Sequence, residues 1–203
     1  MEGTIEMSRE IMWNIPIWMK YAMYGLLLVA TVVFVKGLQQ KYAYVTQGKN
    51  PKAILPKELN WKNFLRTIFF QGKVTRAPIV AVYHTMIFWG FLTLWIATEF
   101  VAIHADTPFK IFKGPLYQWV SLMADIGGVA VLIGLCVAYW RRYIKKPDYL
   151  AATKPKSELF MYGMLVALIV LGYVLEAIRL IGNGMPIAEM NWSPIGWMLS
   201  NAL

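Results

Sequence analysis

Arg76-Ala-Pro-Ile-Val-Ala-Val-Tyr-His84-Thr-Met-Ile-Phe-Trp-Gly-Phe-Leu-Thr-Leu-Trp95 is the stretch on which the reading of this chain turns. It opens an apolar run, Pro78 to Ala102, that exceeds the roughly 20 residues a helix needs to cross a bilayer. Within that run stands His84. An imidazole inside a membrane helix is costly unless it has a partner, so such a residue marks a functional site by default.

Three further runs have the same character: Ile15–Val35, Leu116–Trp140 and Leu159–Ile181. A fifth apolar stretch begins at Ile195 and reaches Leu203. It is too short to cross, but Ser193 and Pro194 read as an N-cap and a first helical residue. The expected architecture is an all-α integral membrane bundle, residues 1–203 as one domain. Its spanning helices lie near 15–35, 78–102, 116–140 and 159–181, and a fifth helix starts near 194. The chain reads as the front part of a longer one, against the alternative of a short interfacial tail.

Composition agrees. Hydrophobic residues make up 58% and charged residues 15%, against about 25% charged in soluble domains. Cys136 stands by itself in an apolar run, so no internal disulfide forms and it reads as a small buried hydrophobe. Without Cys-x-x-Cys, the chain holds no iron–sulfur cluster or c-type haem by its own residues. Glu2, Glu6 and Glu10 replace the basic start of a signal peptide, so the first apolar run is expected to remain as a membrane helix.

The net charge of +9 is unevenly placed. Lys36, Lys41, Lys49, Lys52, Lys57, Lys62, Arg66, Lys73 and Arg76 fill the first long loop against Glu58. Arg141, Arg142, Lys145, Lys146, Lys154 and Lys156 fill the next loop on that side. The positive-inside rule puts both loops in the cytoplasm and the N-terminus outside. The basic charge is thus a topology signal and not a nucleic-acid site. Within the first loop, Leu59–Gln71 reads as an amphipathic helix, lying on the lipid surface or docking a soluble partner.

The natural partner for His84 is a haem iron, since neutral imidazole is a standard axial ligand. The other histidine, His104, lies twenty positions on in the same helix, about 30 Å along the axis. The two cannot share one iron. This chain therefore offers at most one histidine per haem, and a second ligand comes from beyond Leu203, from another chain or from a methionine. Phe88, Phe91 and Trp95 continue the His84 face, as a wall for a flat macrocycle or as ordinary packing. His104 beside Asp106 reads as a boundary residue, with metal ligation the lesser alternative.

Besides Lys20 near the start of the first run, four charged residues fall inside the apolar runs: Glu99, Asp125, Glu176 and Arg179. Glu176 and Arg179, at i and i+3, can pair on one face. Such groups pass protons to or from a quinone, or fix helix register as a structural pair. For Asp125, helix capping is the alternative. Gly127, Gly128 and Gly134 allow close helix approach. Arg76, Arg141 and Arg142 cluster at helix ends, suited to haem propionates, although the topology rule accounts for them equally.

Gln71-Gly-Lys-Val-Thr-Arg76, His84-Thr-Met-Ile-Phe-Trp-Gly-Phe91 and Thr98 resemble the second-helix region of nitrate reductase gamma-subunit-like cytochromes b. Tyr117, Asp125-Ile-Gly-Gly128 and Arg141-Arg142-Tyr143 are similar to the third helix of that group. The nearest likeness is to membrane domains joined to heterodisulfide-reductase-like iron–sulfur modules, and it covers the chain from about Trp61 to Leu203. The resemblance implies five membrane helices and b-type haem. It also implies electron exchange between menaquinone or ubiquinone and a cytoplasmic iron–sulfur partner, with a prokaryotic cytoplasmic membrane as the expected location. His84 matches the second-helix ligand. Leu94 stands where two-haem members carry another histidine, which favours one haem. The competing class is a cofactor-free membrane anchor or transporter subunit, in which His84 and the buried charges are structural contacts.

Overall fold

The computed structural model describes residues 11–12, 14–47, 60–70, 74, 77–146 and 155–203, with side chains in the last segment from Glu158 onward. Among the described residues, six α-helices follow one another: α1 (Ile17–Thr46), α2 (Trp61–Phe70), α3 (Pro78–Asp106), α4 (Gly114–Tyr139), α5 (Pro155–Gly182) and α6 (Pro194–Ala202). The fold is all-α. Among the described residues, four segments are long and apolar enough to cross a membrane: Ile17–Thr46, Pro78–Asp106, Gly114–Lys145 and Glu158–Gly182. They support a multi-pass membrane protein. Each outruns its expected range because apolar runs mark only the hydrocarbon core, while the helix continues into polar flanks where its hydrogen bonds still close.

The chain divides into two compact units. One holds α1 and α2. α1 has no buried residue along its 30 positions, and between Tyr21 and Val35 its apolar residues face every side, as in a lipid-bathed span. α2 opens on Asn60, whose Oδ1 accepts the Asn63 N–H at 3.0 Å. This side-chain N-cap satisfies one of the helix's orphan donors.

The other unit holds α3 to α6. α3 and α4 form an antiparallel hairpin, and glycines set their spacing. A Cβ on Gly90 would stand 2.6 Å from the Gly127 carbonyl oxygen, and one on Gly134 would stand 2.9 Å from the Tyr83 oxygen. The absent side chains let the two backbones touch, which lipid-embedded helices use in place of a hydrophobic driving force. Val131, Leu135 and Ile169 form the buried centre, with Ile87 and Phe91 packed against it. The rest of the apolar surface faces outward: Leu168, Leu171 and Leu175 on α5 are each about 60% exposed or more. In water such a surface would aggregate, whereas in lipid it is solvated.

The α3–α4 connection is tied by its own polar groups. Phe112 N–H donates to His104 Nδ1 at 3.0 Å, and Lys110 Nζ donates to the His104 carbonyl. Gly114 then turns the chain at φ +53°, a left-handed value that favours glycine. At the other end α4 widens into a π-helical turn, Trp140–Lys145, and stops at Lys146 with φ +42°. α5 ends at Gly182, and Gly184 at φ +73° reverses the chain. A short 3-10 turn, Ile187–Glu189, leads from there to α6.

Candidate functional site: a polar cluster and cavity at one end of the bundle, and His84 toward the other

The basic loops join one end of the α3–α6 unit, where α3 and α5 begin and α4 ends. The opposite end gathers the buried charges. Arg179 lies at its centre, with its side chain 7% exposed. Its Nε and Nη2 donate to Glu176 at 3.1 and 2.7 Å, and Nη2 also donates to Glu189 Oε2 at 2.6 Å. Tyr117 Oη donates to the same Glu189 oxygen at 2.8 Å and accepts Arg179 Nη2 at 3.3 Å. One guanidinium thus serves two carboxylates, while Arg179 Nη1 is buried without a hydrogen-bond partner. The expected Glu176–Arg179 pair forms. Glu189 and Tyr117, which the sequence reading missed, complete it.

Asp125 reaches across from α4. Its Oδ2 accepts the Ile195 N–H at 2.7 Å, so a carboxylate of one helix caps the N-terminus of another. Ser193 occupies the N-cap position of α6 but makes no cap bond. Its hydroxyl instead donates to Glu176 at 3.3 Å and meets Ser121 at 2.7 Å. The backbone of Ser193, at φ −141° and ψ 62°, departs from the extended geometry that a capping serine adopts. Asp125 takes over, and its charge suits the positive end of the α6 dipole.

Beside this cluster lies a cavity of about 540 Å³ between α3, α4 and α5. Phe91, Leu94 and Trp95 line it from α3, and Leu168, Ile169 and Tyr173 from α5. Ser121, Asp125, Glu176 and Ser193 give it a polar end. A mostly apolar cleft with a few converging polar groups is the usual form of a small-molecule site, and the volume falls in the usual range. Tyr173 is fixed by its hydroxyl, which donates to the Asp125 carbonyl at 2.5 Å.

His84 lies on α3 toward the basic end, half-buried. Its Nδ1 is buried and without a hydrogen-bond partner. A buried polar atom left unsatisfied costs about 1–3 kcal/mol and calls for an explanation. Phe91, the first α3 residue on the cavity wall, lies two turns beyond His84, about 10 Å along the helix axis. The sequence-read stripe His84, Phe91, Trp95 therefore ends in the cavity.

The remaining expected residues fall elsewhere. Arg141 Nη1 donates to Tyr83 Oη at 3.1 Å, next to His84 in sequence. Arg142 holds Glu158 through Nε at 2.7 Å and Nη2 at 3.1 Å. His104 clamps the α3–α4 connection, as described above. Glu99 is exposed on α3 and does not line the cavity. Arg76 lies outside the described residues. Among those described, no group of three or more His, Cys, Asp and Glu converges as a metal site.

The missed residues carry a faint signal. Glu189 is a carboxylate in a short connection between two apolar helices, just past a glycine reversal that folds it back on the end of α5. Tyr117 stands in the first turn of α4, at the same level of the bundle.

No family model matches the chain, and no solved structure matches it. Among curated proteins it is similar to the EtfAB:quinone oxidoreductase of Syntrophomonas wolfei subsp. wolfei. The two are 27% identical over 211 aligned positions, which take in 99% of this chain and 29% of that protein. The chain thus spans less than a third of the length of this relative.

Proposed function

We propose that this chain is the membrane part of a quinone-linked oxidoreductase. In this reading, a quinone would bind in the α3–α4–α5 cavity, His84 would hold a b-type haem, and an iron–sulfur partner would dock at the basic, cytoplasmic end. The observation that carries the reading is the arrangement along α3: a buried, unpartnered imidazole nitrogen two turns from a carboxylate-ended cavity. The alignment of nearly the whole of this chain with part of a quinone oxidoreductase supports it, as does the resemblance to nitrate reductase gamma-subunit-like cytochromes b.

His84 would hold the haem through its imidazole, and a bound haem would supply reversible one-electron iron chemistry. Any further protein ligand would come from beyond Leu203, from another chain or from a methionine. Arg141, which donates to the hydroxyl of Tyr83 next to His84 in sequence, and Arg142 would be the cations to receive a propionate. Next to His84, α3 and α4 approach by backbone contact at Gly90 and Gly134, which would help keep water from a bound group.

A reduced-minus-oxidised visible spectrum of the native complex, with pyridine haemochrome quantification, tests this. About one b-type haem per chain is expected, and it disappears in His84→Ala. A well-folded complex without haem, or one whose haem survives His84→Ala, returns the chain to the rival class of cofactor-free anchors.

A further inference from the structure

Among the described helices, α2 is the most strongly amphipathic. At about 100° per residue, Trp61, Phe64, Leu65 and Ile68 fall together on one face. Lys62, Asn63, Arg66 and Thr67 occupy the other, and Phe70 departs from the pattern at the last position. No residue of α2 is buried, and these four apolar side chains are between 39% and 64% exposed.

Such a helix has little to hold it in water. Its 10 residues fall short of the roughly 12–15 at which an isolated helix is even marginal. Lys62 stands in the first turn, against the positive end of the helix dipole, and no acidic residue offsets it there. Lys62 and Arg66, at i and i+4, repel each other. A helix of this kind is stabilised by whatever surface covers its apolar face.

The course of the chain and its charge identify that surface. α2 follows α1 and precedes α3, both long and apolar enough to cross a membrane. Residues 71–77 tie its end to Pro78 by less than about 30 Å of chain, which keeps it close to the bilayer. Trp, Phe, Leu and Ile opposite Lys and Arg suit the boundary between headgroups and acyl chains. The two polar flanks differ. One is neutral, and its Thr67 hydroxyl donates to the Asn63 carbonyl at 2.7 Å. On the other, Lys62 and Arg66 have no ion-pair partner among the described residues. Residues one turn apart have Cβ atoms about 5–6 Å from each other. One phosphate can bridge that gap, with Arg gripping it through two nitrogens and Lys acting as a point charge.

We infer that α2 lies in the membrane interface and binds an anionic phospholipid, its apolar face among the acyl chains and one headgroup phosphate held between Lys62 and Arg66. The phosphate removes the repulsion between the two cations, so lipid binding and helix formation reinforce each other. A zwitterionic headgroup fits less well, because its own cation meets two more. Each Lys or Arg near an anionic surface corresponds to about fivefold in affinity.

The test uses the full chain in vesicles of phosphatidylcholine mixed with an equal part of phosphatidylglycerol. A bimane fluorophore is attached at Phe64→Cys in a Cys136→Ser background, where no other cysteine competes. Its quenching by nitroxide-labelled phosphatidylglycerol, by nitroxide-labelled phosphatidylcholine and by aqueous iodide is compared. Labelled phosphatidylglycerol is expected to quench at about fivefold lower content than labelled phosphatidylcholine. In Lys62→Gln/Arg66→Gln the two lipids become equal. Bimane on the native Cys136, exposed on α4, supplies the baseline of a span without such a site. Equal quenching by the two lipids at position 64, a preference no greater than at Cys136, or one that survives loss of both cations overturns the headgroup site. Quenching by iodide alone puts α2 in water, and quenching by none of the three means that a protein surface covers the face. Either result overturns the proposal.

Discussion

The two ends of the α3–α6 bundle handle charge in opposite ways. At the basic end, ion pairs stay near the boundary: Arg142 meets Glu158 with side chains 12% and 30% exposed. Tyr139, Tyr143 and Tyr162 surround them with edge-on and tilted rings. Aromatic rings and long cations at this level are the ordinary furniture of a membrane interface. At the other end the charges are interior. Glu176, Arg179 and Glu189 have side chains between 7% and 15% exposed. Their partners come from α4, α5 and the connection before α6. Interface charge needs only a nearby counter-ion, because water supplies the rest. Interior charge must be satisfied by the protein from several directions, which binds those elements into one unit.

The largest break in that contrast comes from Arg179→Met. It strands two buried carboxylates and Tyr117 at once. Removing one partner from a buried ion pair costs about 3–5 kcal/mol. The expected result is a marked fall in the thermal midpoint of the detergent-solubilised complex, with α6 loosened first. Adding Glu189→Gln to that variant should recover part of the loss, since one stranded charge is then gone. An unchanged midpoint in Arg179→Met would show that the cluster is hydrated and not interlocked.

Asp125→Ala probes the same end more gently. It removes the trans cap on the Ile195 N–H. Loss of an N-cap costs about 1 kcal/mol, and Asp125→Asn should retain most of it because the amide oxygen still accepts. Protease susceptibility or hydrogen exchange at residues 194–202 reads the effect locally. If the alanine variant leaves that segment as protected as before, the cap is dispensable and the role of Asp125 lies in the cavity.

What could be read from the sequence follows the same division. Helices, their order and the close α3–α4 contact are written in local pattern: apolar runs, Pro at helix starts, and glycines on one face of α4. The Glu176–Arg179 pair is equally local, being one helical turn. His84 is visible because polarity inside an apolar run has no cheap explanation. The links that join elements are not local. Tyr117 and Glu189 are 72 positions apart, Asp125 and Ile195 are 70 apart, and no spacing rule connects them. Ser193 shows how local inference goes astray. It stands at the cap position that sequence rules assign, but its hydroxyl is taken by Ser121 and Glu176, so the cap comes from a residue on another helix.

The smallest expected effect is at the basic end, and there the smallness is informative. Arg142→Met removes a two-nitrogen contact with Glu158 whose carboxylate is 30% exposed. Arg142 is as enclosed as the interior charges, but Glu158 keeps 30% of its side chain in solvent. Water and salt thus compete for one partner, and the pair lies nearer the about 0–1 kcal/mol of a surface pair than the cost of breaking a buried one. The expected shift in thermal midpoint is therefore slight, and it should shrink further at high ionic strength, where Arg179→Met remains as damaging as before. Salt separates the two ends because screening reaches charges that touch water and fails to reach those that do not. A large, salt-insensitive loss in Arg142→Met would mean that the basic end is also interior in the assembled complex, covered there by another chain.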